Sequence, residues 1–243
     1  MEPNMHREIK VIEYECVGST NQEAKEYAAR AEAFEPVLFV AREQSAGRGR
    51  LGRSFLSRRG RGIYMSLLYF SENDLADAVS VTTKAAVVVA QAIEDITGDP
   101  MKIKWVNDIY NSRGKVAGIL AESLSVGDKR AVVVGIGINI GKDDFPPELA
   151  SVASSIGEIS EGQREEMISK IADGLLDARS DYMAEYRKRF MLCGERVELF
   201  SVGESLGCGT VLGVSDDGGL IFLKDGRSDP EIIRTGEVSV RKK

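Results

Sequence analysis

The stretch GRGRLGRSFLSRRGR, residues 47–61, carries six arginines and no acid in a chain of 243 residues whose net charge is −6. No Asp or Glu occurs between Gln44 and Ser71. Glycine lets a backbone come close to a ligand, and the planar guanidinium offers paired donors that match phosphate or carboxylate. Taken alone, an Arg/Gly run reads most simply as a solvated, disordered basic loop. The strict spacing Gly47-Arg48-Gly49-Arg50-Leu51-Gly52-Arg53 follows directly on the apolar run VLFVA at residues 37–41. That placement predicts a specific anion site at the end of a buried strand.

Periodicity organises the chain on both sides of this loop. Residues 8–16 alternate and predict a strand. Ser19 with Gln22 and Thr20 with Glu23 offer two overlapping capping boxes, opening a helix through residue 33. Residues 63–70 predict the strand returning from the loop, and the Ala/Val-rich residues 74–97 a long buried helix ended by Gly98. Three strands are expected over 101–110, 116–123 and 130–140, the first two joined by a hairpin turn at Asn111-Ser112-Arg113-Gly114. Residues 143–147 break the pattern, and 163–189 read as a helical stretch with a charged outer face. From Cys193 the grammar changes to short segments at 196–200, 209–213, 220–224, 231–234 and 237–241, split by turns such as Asp216-Asp217-Gly218-Gly219. Such spacing predicts a small barrel and a boundary near Leu192, hence domains over 1–192 and 193–243.

Composition narrows the chemistry. An apolar content of 43% supports a sizeable core, and there is no apolar run of about 18 residues to span a membrane. The N-terminal MEPNMHREIK has no apolar segment of the signal-peptide kind. Cys16, Cys193 and Cys208 are odd in number and widely spaced, which argues against a disulfide framework or zinc site and fits a reducing cytoplasm. His6 is the only histidine, so a histidine-based catalytic triad would have to draw on a residue next to the chain end. The overall acidity disfavours a general nucleic-acid binder.

Three further segments carry polar groups on apolar strands. Lys104-Trp105-Val106-Asn107-Asp108-Ile109 places a lysine, an amide and a carboxylate on one predicted strand, where alternate residues share a face. Lys115-Val116-Ala117-Gly118-Ile119-Leu120 begins a nearly apolar strand with a lysine. Gly135-Ile136-Gly137-Ile138-Asn139 lacks the third glycine and following helix of a dinucleotide fingerprint. Its glycines serve either packing in a central strand or a flat ligand lying on the backbone.

Residues 47–53, 104–109, 115–120 and 135–140 together resemble, in order and spacing, the patterns GRGRxGR, KWPNDI, KxxGIL and GxGxN of the biotin protein ligases (biotin–[acetyl-CoA-carboxylase] ligases). The resemblance implies an α+β fold: a mixed catalytic sheet flanked by helices, of the class II synthetase and biotin–lipoate ligase kind, followed by a small SH3-like barrel. It implies ATP and biotin as substrates, biotinyl-5′-AMP as intermediate and a lysine of a biotin carboxyl carrier protein as acceptor. By the same carry-over, Arg48 and Arg50 bind the biotin carboxylate and the phosphate, with Gly49 and Arg53 in the same loop and Phe55 as its aromatic lid. Lys115 holds the reacting carboxyl oxygen, beside Gly118. Lys104 assists the phosphates, and Asn107 and Asp108 orient the reacting groups. Ser19, Thr20, Asn21 and Gln44 hydrogen-bond the ureido head, and Asn139 reads adenine. Mg²⁺ is expected with the triphosphate, Asp108 being the one ligand that suggests itself.

Val106 stands where the family has proline, Phe55 where a tryptophan is common, and Arg58 where a proline is usual; no catalytic side chain is lost. The chain begins almost at its first catalytic strand, so no specific DNA binding is expected, and a homodimer through exposed sheet strands is. Three alternatives stay open on sequence alone: a lipoate ligase, an anion- or RNA-binding module, and a degenerate ligase that retains biotin binding only. Arg58, Arg59 and Arg61 match no family role and suggest electrostatic steering of ATP or an acidic carrier.

Overall fold

A computed structural model describes residues 9–31, 34–71, 78–177, 181–201, 204–234 and 238–242; His6 lies outside them. The chain opens with strand β1 (Lys10–Tyr14), helix α1 (Thr20–Ala29) and the wholly buried strand β2 (Val37–Ala41). After the basic loop, β3 (Gly62–Ser71) returns beside β2. Helix α2 (Ala78–Thr97) follows; residues 74–77 of its predicted span lie outside the described ones. Then come β4 (Lys102–Lys104), β5 (Asp108–Tyr110), β6 (Lys115–Val126) and β7 (Lys129–Asn139). A short α3 (Pro147–Ala150) precedes α4 (Glu161–Leu176) and α5 (Tyr182–Arg189).

The first seven strands form one sheet in the order β1-β2-β3-β7-β6-β5-β4. Only β1 and β2 run parallel, so the sheet is mixed. Its two faces bury different partners. Ala24 and Ala28 of α1 pack on Phe39, Leu68 and Val133 on one side. On the other, the β-branched run of α2 joins Met167 and Ile171 of α4 and Tyr186 of α5 over Leu67, Val132 and Val134. Such a run has modest helix propensity, and burial between sheet and helices overrides it.

The last fifty residues form β8 (Arg196–Ser201), β9 (Glu204–Val214), β10 (Leu220–Lys224), β11 (Glu231–Ile233) and β12 (Val238–Lys242). These make an antiparallel five-stranded sheet, order β11-β10-β9-β8-β12. Among the described residues its edge strands share no ladder, so the hydrogen bonding is that of an open sheet where a barrel was expected. Val197, Val211, Leu220 and Phe222 join the same apolar cluster as α2 and the large sheet.

Three expectations need correction. The predicted strand 101–110 is a hairpin: Trp105–Asn107 turn between β4 and β5, and the Trp105–Val106 peptide is cis. Trp105 and Val106 are strand-forming residues, but tertiary partners claim them. The Trp105 indole donates to Gly218 O at 2.9 Å, and the fully buried Tyr186 hydroxyl donates to Val106 O at 3.3 Å. The helical stretch 163–189 is two helices, and the box that caps α4 is Ser160 with Gln163. Ser19 makes no side-chain cap, and the helix it precedes ends at Ala29. The polar side chains at the start of α1 are engaged elsewhere.

Candidate active site

Strand periodicity puts Gly135, Gly137 and Asn139 of β7 on one face of the sheet. Ser66 and Gly118 lie beside them, because Ser66 pairs with Gly135, and Gly118 with Gly137. This is the face that α1 covers only in part. The uncovered part is the floor of a cleft of about 510 Å³. The floor needs glycine: a Cβ on Gly137 would lie 2.4 Å from the Phe55 ring, and one on Gly135 only 1.9 Å from Asn21 Oδ1. Both glycines make room for the protein's own side chains, as the packing reading expects. Gly135 admits a packed amide, and a flat ring lies over Gly137.

At one end Ser19, Thr20 and Asn21 meet Gln44 and Leu120. The Thr20 amide donates to Gln44 Oε1 at 2.8 Å, while Gln44 Nε2 donates to Ser57 Oγ at 2.9 Å. Asn21 Nδ2 donates to Glu122 Oε2 at 2.8 Å and to Leu120 O at 3.3 Å. Glu122 accepts from Lys25 Nζ at 2.8 Å. Thr20, Asn21 and Ser66 are all at least 96% buried, so this end is a largely buried hydrogen-bonded network.

The middle of the cleft is ionic. The β4–β5 hairpin sets Lys104 opposite Asp108, and β5 pairs with β6, which begins at Lys115. Lys115 Nζ donates to Asp108 Oδ1 at 2.7 Å; both side chains are about one-quarter to one-third exposed. The basic loop folds over this centre. Its chain turns back between Gly49 N and Arg53 O (2.7 Å), through a short helical turn at Arg50–Gly52. Arg50 Nη1 donates to Asn107 Oδ1 at 2.8 Å, and Asn107 Nδ2 donates to Ile119 O at 3.0 Å. Arg48 Nη1 reaches Gln22 Oε1 at 3.3 Å. Tyr110, also on the cleft, is pushed up to about 12, first by burial and then by the charge of Asp108, so it stays a neutral hydroxyl.

At the far end Asn139 meets Phe145, Leu149, Val152 and Ala153. Its Nδ2 donates to Ser154 O at 2.9 Å and Lys115 O at 3.5 Å, which leaves Oδ1 as its group for a ligand. Every site residue expected from sequence lines this one cleft, including Gly49, Arg53, Phe55 and Gly118. Sequence reading missed the 145–153 wall, where it registered only a break, and the supporting Lys25, Ser57, Ser66 and Glu122. Glu122 had a visible signal: an acid interrupting the apolar strand GILAES.

Among the described residues no group of three His, Cys, Asp or Glu is placed to hold a metal. Asp108, the expected metal ligand, is bound to Lys115 and belongs to no such group among the described residues. The donor set does not amount to a protein cage for Mg²⁺.

A mixed sheet with an amide-lined pocket at one end, fixed cations in the middle and an apolar wall at the other defines a site for an anionic ligand with two dissimilar ends. Known proteins resemble this chain in sequence and fold. A model described as "Biotin/lipoate A/B protein ligase family" matches residues 13–139. The "Bifunctional ligase/repressor BirA" of Bacillus spizizenii is 36% identical over 223 residues, 86% of this chain and 68% of that protein. The "Biotin--[acetyl-CoA-carboxylase] ligase" of Mycobacterium tuberculosis is 28% identical over 241 residues, covering 91% and 85%. Among solved structures, "Biotin protein ligase from Aquifex aeolicus in complex with biotin and ATP" matches with a TM-score of 0.78 at 28% identity, over 96% of this chain and 99% of that one. The chain belongs to the biotin/lipoate A/B protein ligase family.

Proposed function

We propose that this chain is an ATP-dependent biotin protein ligase acting on a lysine of a biotin carboxyl carrier protein. A biotin carboxylate oxygen attacks the α-phosphorus of ATP, the bond to the β-phosphate breaks, and pyrophosphate leaves. The neutral lysine amine then attacks the acyl carbon of biotinyl-5′-AMP, AMP departs, and the amine gives up its proton. Both steps gather negative charge on phosphoryl and carboxyl oxygens, and prepositioned cations stabilise that charge more in the transition state than before it.

The residues divide the work by position. Ser19, Thr20, Asn21 and Gln44 take the ureido end. Lys115 exchanges Asp108 for the reacting carboxyl oxygen, and Arg48 and Arg50 clamp carboxylate and phosphate. Arg53 and Lys104 assist the phosphates, Phe55 covers the adenylate, and Asn107 and Asp108 orient the incoming lysine. Asn139 accepts from the adenine amine. Mg²⁺ would arrive on the triphosphate, and no step is assigned to it. One observation carries the reading: residues scattered over 120 positions, from Ser19 to Asn139, line a single cleft.

The reading extends to an SH3-like class for the C-terminal sheet, to domains over 1–192 and 193–243, and to a homodimer through the free edge at β1, where Val11 is half exposed. It places the chain in the cytoplasm, in keeping with three free cysteines. No helix among the described residues is long and apolar enough to cross a membrane. The deciding assay is pyrophosphate release with ATP, with and without biotin or lipoate. Release that requires biotin is expected; release that requires lipoate, or neither acid, contradicts the reading.

A further inference from the structure

A run of hydrogen bonds crosses from the ureido end of the cleft to the basic loop. The Thr20 amide donates to Gln44 Oε1 at 2.8 Å, Gln44 Nε2 donates to Ser57 Oγ at 2.9 Å, and Ser57 Oγ donates to Phe55 O at 3.0 Å. Each step has a fixed sense. A backbone N–H only donates, so Thr20 holds the oxygen of Gln44 and turns its NH₂ to Ser57. A carbonyl only accepts, so the single hydrogen of the Ser57 hydroxyl goes to Phe55 and its lone pairs face Gln44. Phe55 carries the ring that lies over Gly137.

The loop has backbone ties as well. Gln44 N donates to Ser57 O at 3.0 Å, and Phe55 N to Gly47 O at 2.9 Å. These hold the root of the loop with or without the hydroxyl, but neither reaches the Gln44 side chain. Among the described residues, that side chain is hydrogen-bonded to the loop through Ser57 Oγ alone. The junction is close-packed. Ser57 is 96% buried, and a Cβ on Gly47 would lie 2.6 Å from Ser57 Oγ and 2.4 Å from Phe55 O. A group with so little room passes a displacement on to its neighbour instead of absorbing it.

We infer that the Ser57 hydroxyl couples the Gln44 amide to the lid at Phe55, so that a ligand held at the ureido end helps to hold the lid over a nucleotide. Ser57 is a positioning residue and touches neither ligand. A ligand that orders the Gln44 amide also orders the Phe55 carbonyl, and the second ligand then meets a lid that is already partly ordered. Linkage makes the effect mutual: a nucleotide under the lid must tighten biotin by the factor by which biotin tightens the nucleotide. The inference rests on the biotin reading for the identity of both ligands.

The test is calorimetric titration of the whole chain with biotin, with and without saturating α,β-methylene-ATP, an analogue in which the bond broken by the reaction cannot be cleaved. Wild type should bind biotin about tenfold more tightly when the analogue is present. In Ser57→Ala that ratio should fall towards one. Biotin alone should still bind within about threefold of wild type, because Thr20 continues to fix the sense of Gln44. Ser57→Thr keeps the hydroxyl and should keep the ratio. A purely structural role would weaken biotin and the analogue separately and leave the ratio unchanged. Should Ser57→Ala not fold, Ser57→Cys, close in size and a much weaker hydrogen-bonding group, carries the same expectation. A wild-type ratio of one, or a wild-type ratio kept in the folded variants that lack the hydroxyl, overturns the inference alone. Wild type that binds no biotin overturns the functional reading beneath it.

Discussion

The two working regions of the cleft solve different problems. At the ureido end, Thr20, Asn21 and Ser66 are buried and already satisfied by neighbours of fixed sense, so the pocket keeps its shape before a ligand arrives. In the middle, Lys115 is paired with Asp108 and Arg50 with Asn107, partners that an incoming carboxylate or phosphate would replace. A neutral heterocycle is recognised by geometry set in advance. An anion is recognised by cations parked on weaker or like-strength partners, which costs little because solvent-accessible pairs are worth only about 0–1 kcal/mol net. The comparison predicts that mutations in the middle lower turnover, whereas mutations at the ureido end raise the biotin requirement.

The largest effect should come from the middle. Lys115→Ala should lower kcat/KM for biotin-dependent pyrophosphate release by about a thousandfold, a loss of the size seen when a transition-state charge donor is removed. A loss confined to KM would move Lys115 to the ground-state side and weaken the division. Next comes the ureido end. Gly135→Ala would drive a Cβ to within 1.9 Å of Asn21 Oδ1, displacing the amide on which the network turns. The KM for biotin should rise roughly tenfold or more with kcat at saturation little changed, since a displaced buried amide leaves partners unmade.

A pH experiment sharpens the same contrast. Glu122 has a folded pKa below the ordinary carboxylate value of about 4.3, so its pairing stabilises the fold fully above that pH. The contribution is lost as pH falls through the depressed value. Unfolding curves of wild type and Glu122→Gln should therefore differ at neutral pH and converge in acid. A gap that persists below both values would assign the difference to packing.

The smallest effect is expected from the arginines that sequence left without a role. Arg59 is held by Glu15 at 2.6 Å and Glu43 at 3.5 Å, and Arg61 by Asp144 at 3.0 Å, while Arg58 reaches Asp144 O at 3.2 Å. These contacts pin the root of the basic loop to strand ends on both sides. That leaves less free charge for steering than a solvated run of arginines offers. Replacing all three by Gln should change saturated turnover by less than about threefold and KM at low salt only slightly more, as exposed pairs imply. Collapse of turnover would extend the clamp beyond Arg53.

Much of this was legible in the sequence because it depends on short-range pattern. Strand periodicity placed β2, β3, β6 and β7, and the resemblance to the ligase motifs picked out each expected site residue. What was not legible depends on contacts between distant segments. Trp105 and Val106 look like strand residues until Gly218 O and Tyr186 claim them for a turn. Thr20 looks like a capping residue until Gln44 and Ser66, on two separate strands or loops, engage it. Glu122 stands 101 positions from the amide that donates to it, a pairing that no local pattern encodes. The wall at 145–153 has no motif, only apolar side chains brought over the cleft by an isolated bridge between Lys115 and Ala153.

The central claim is that this cleft activates biotin and delivers it to a carrier lysine. Intact-mass analysis of a biotin carboxyl carrier domain, incubated with the chain, ATP and biotin, tests it most directly. The account predicts one biotinyl addition, mapped to a single lysine, absent without ATP and absent with Lys115→Ala. An unmodified carrier in the presence of bound biotin and ATP would contradict it.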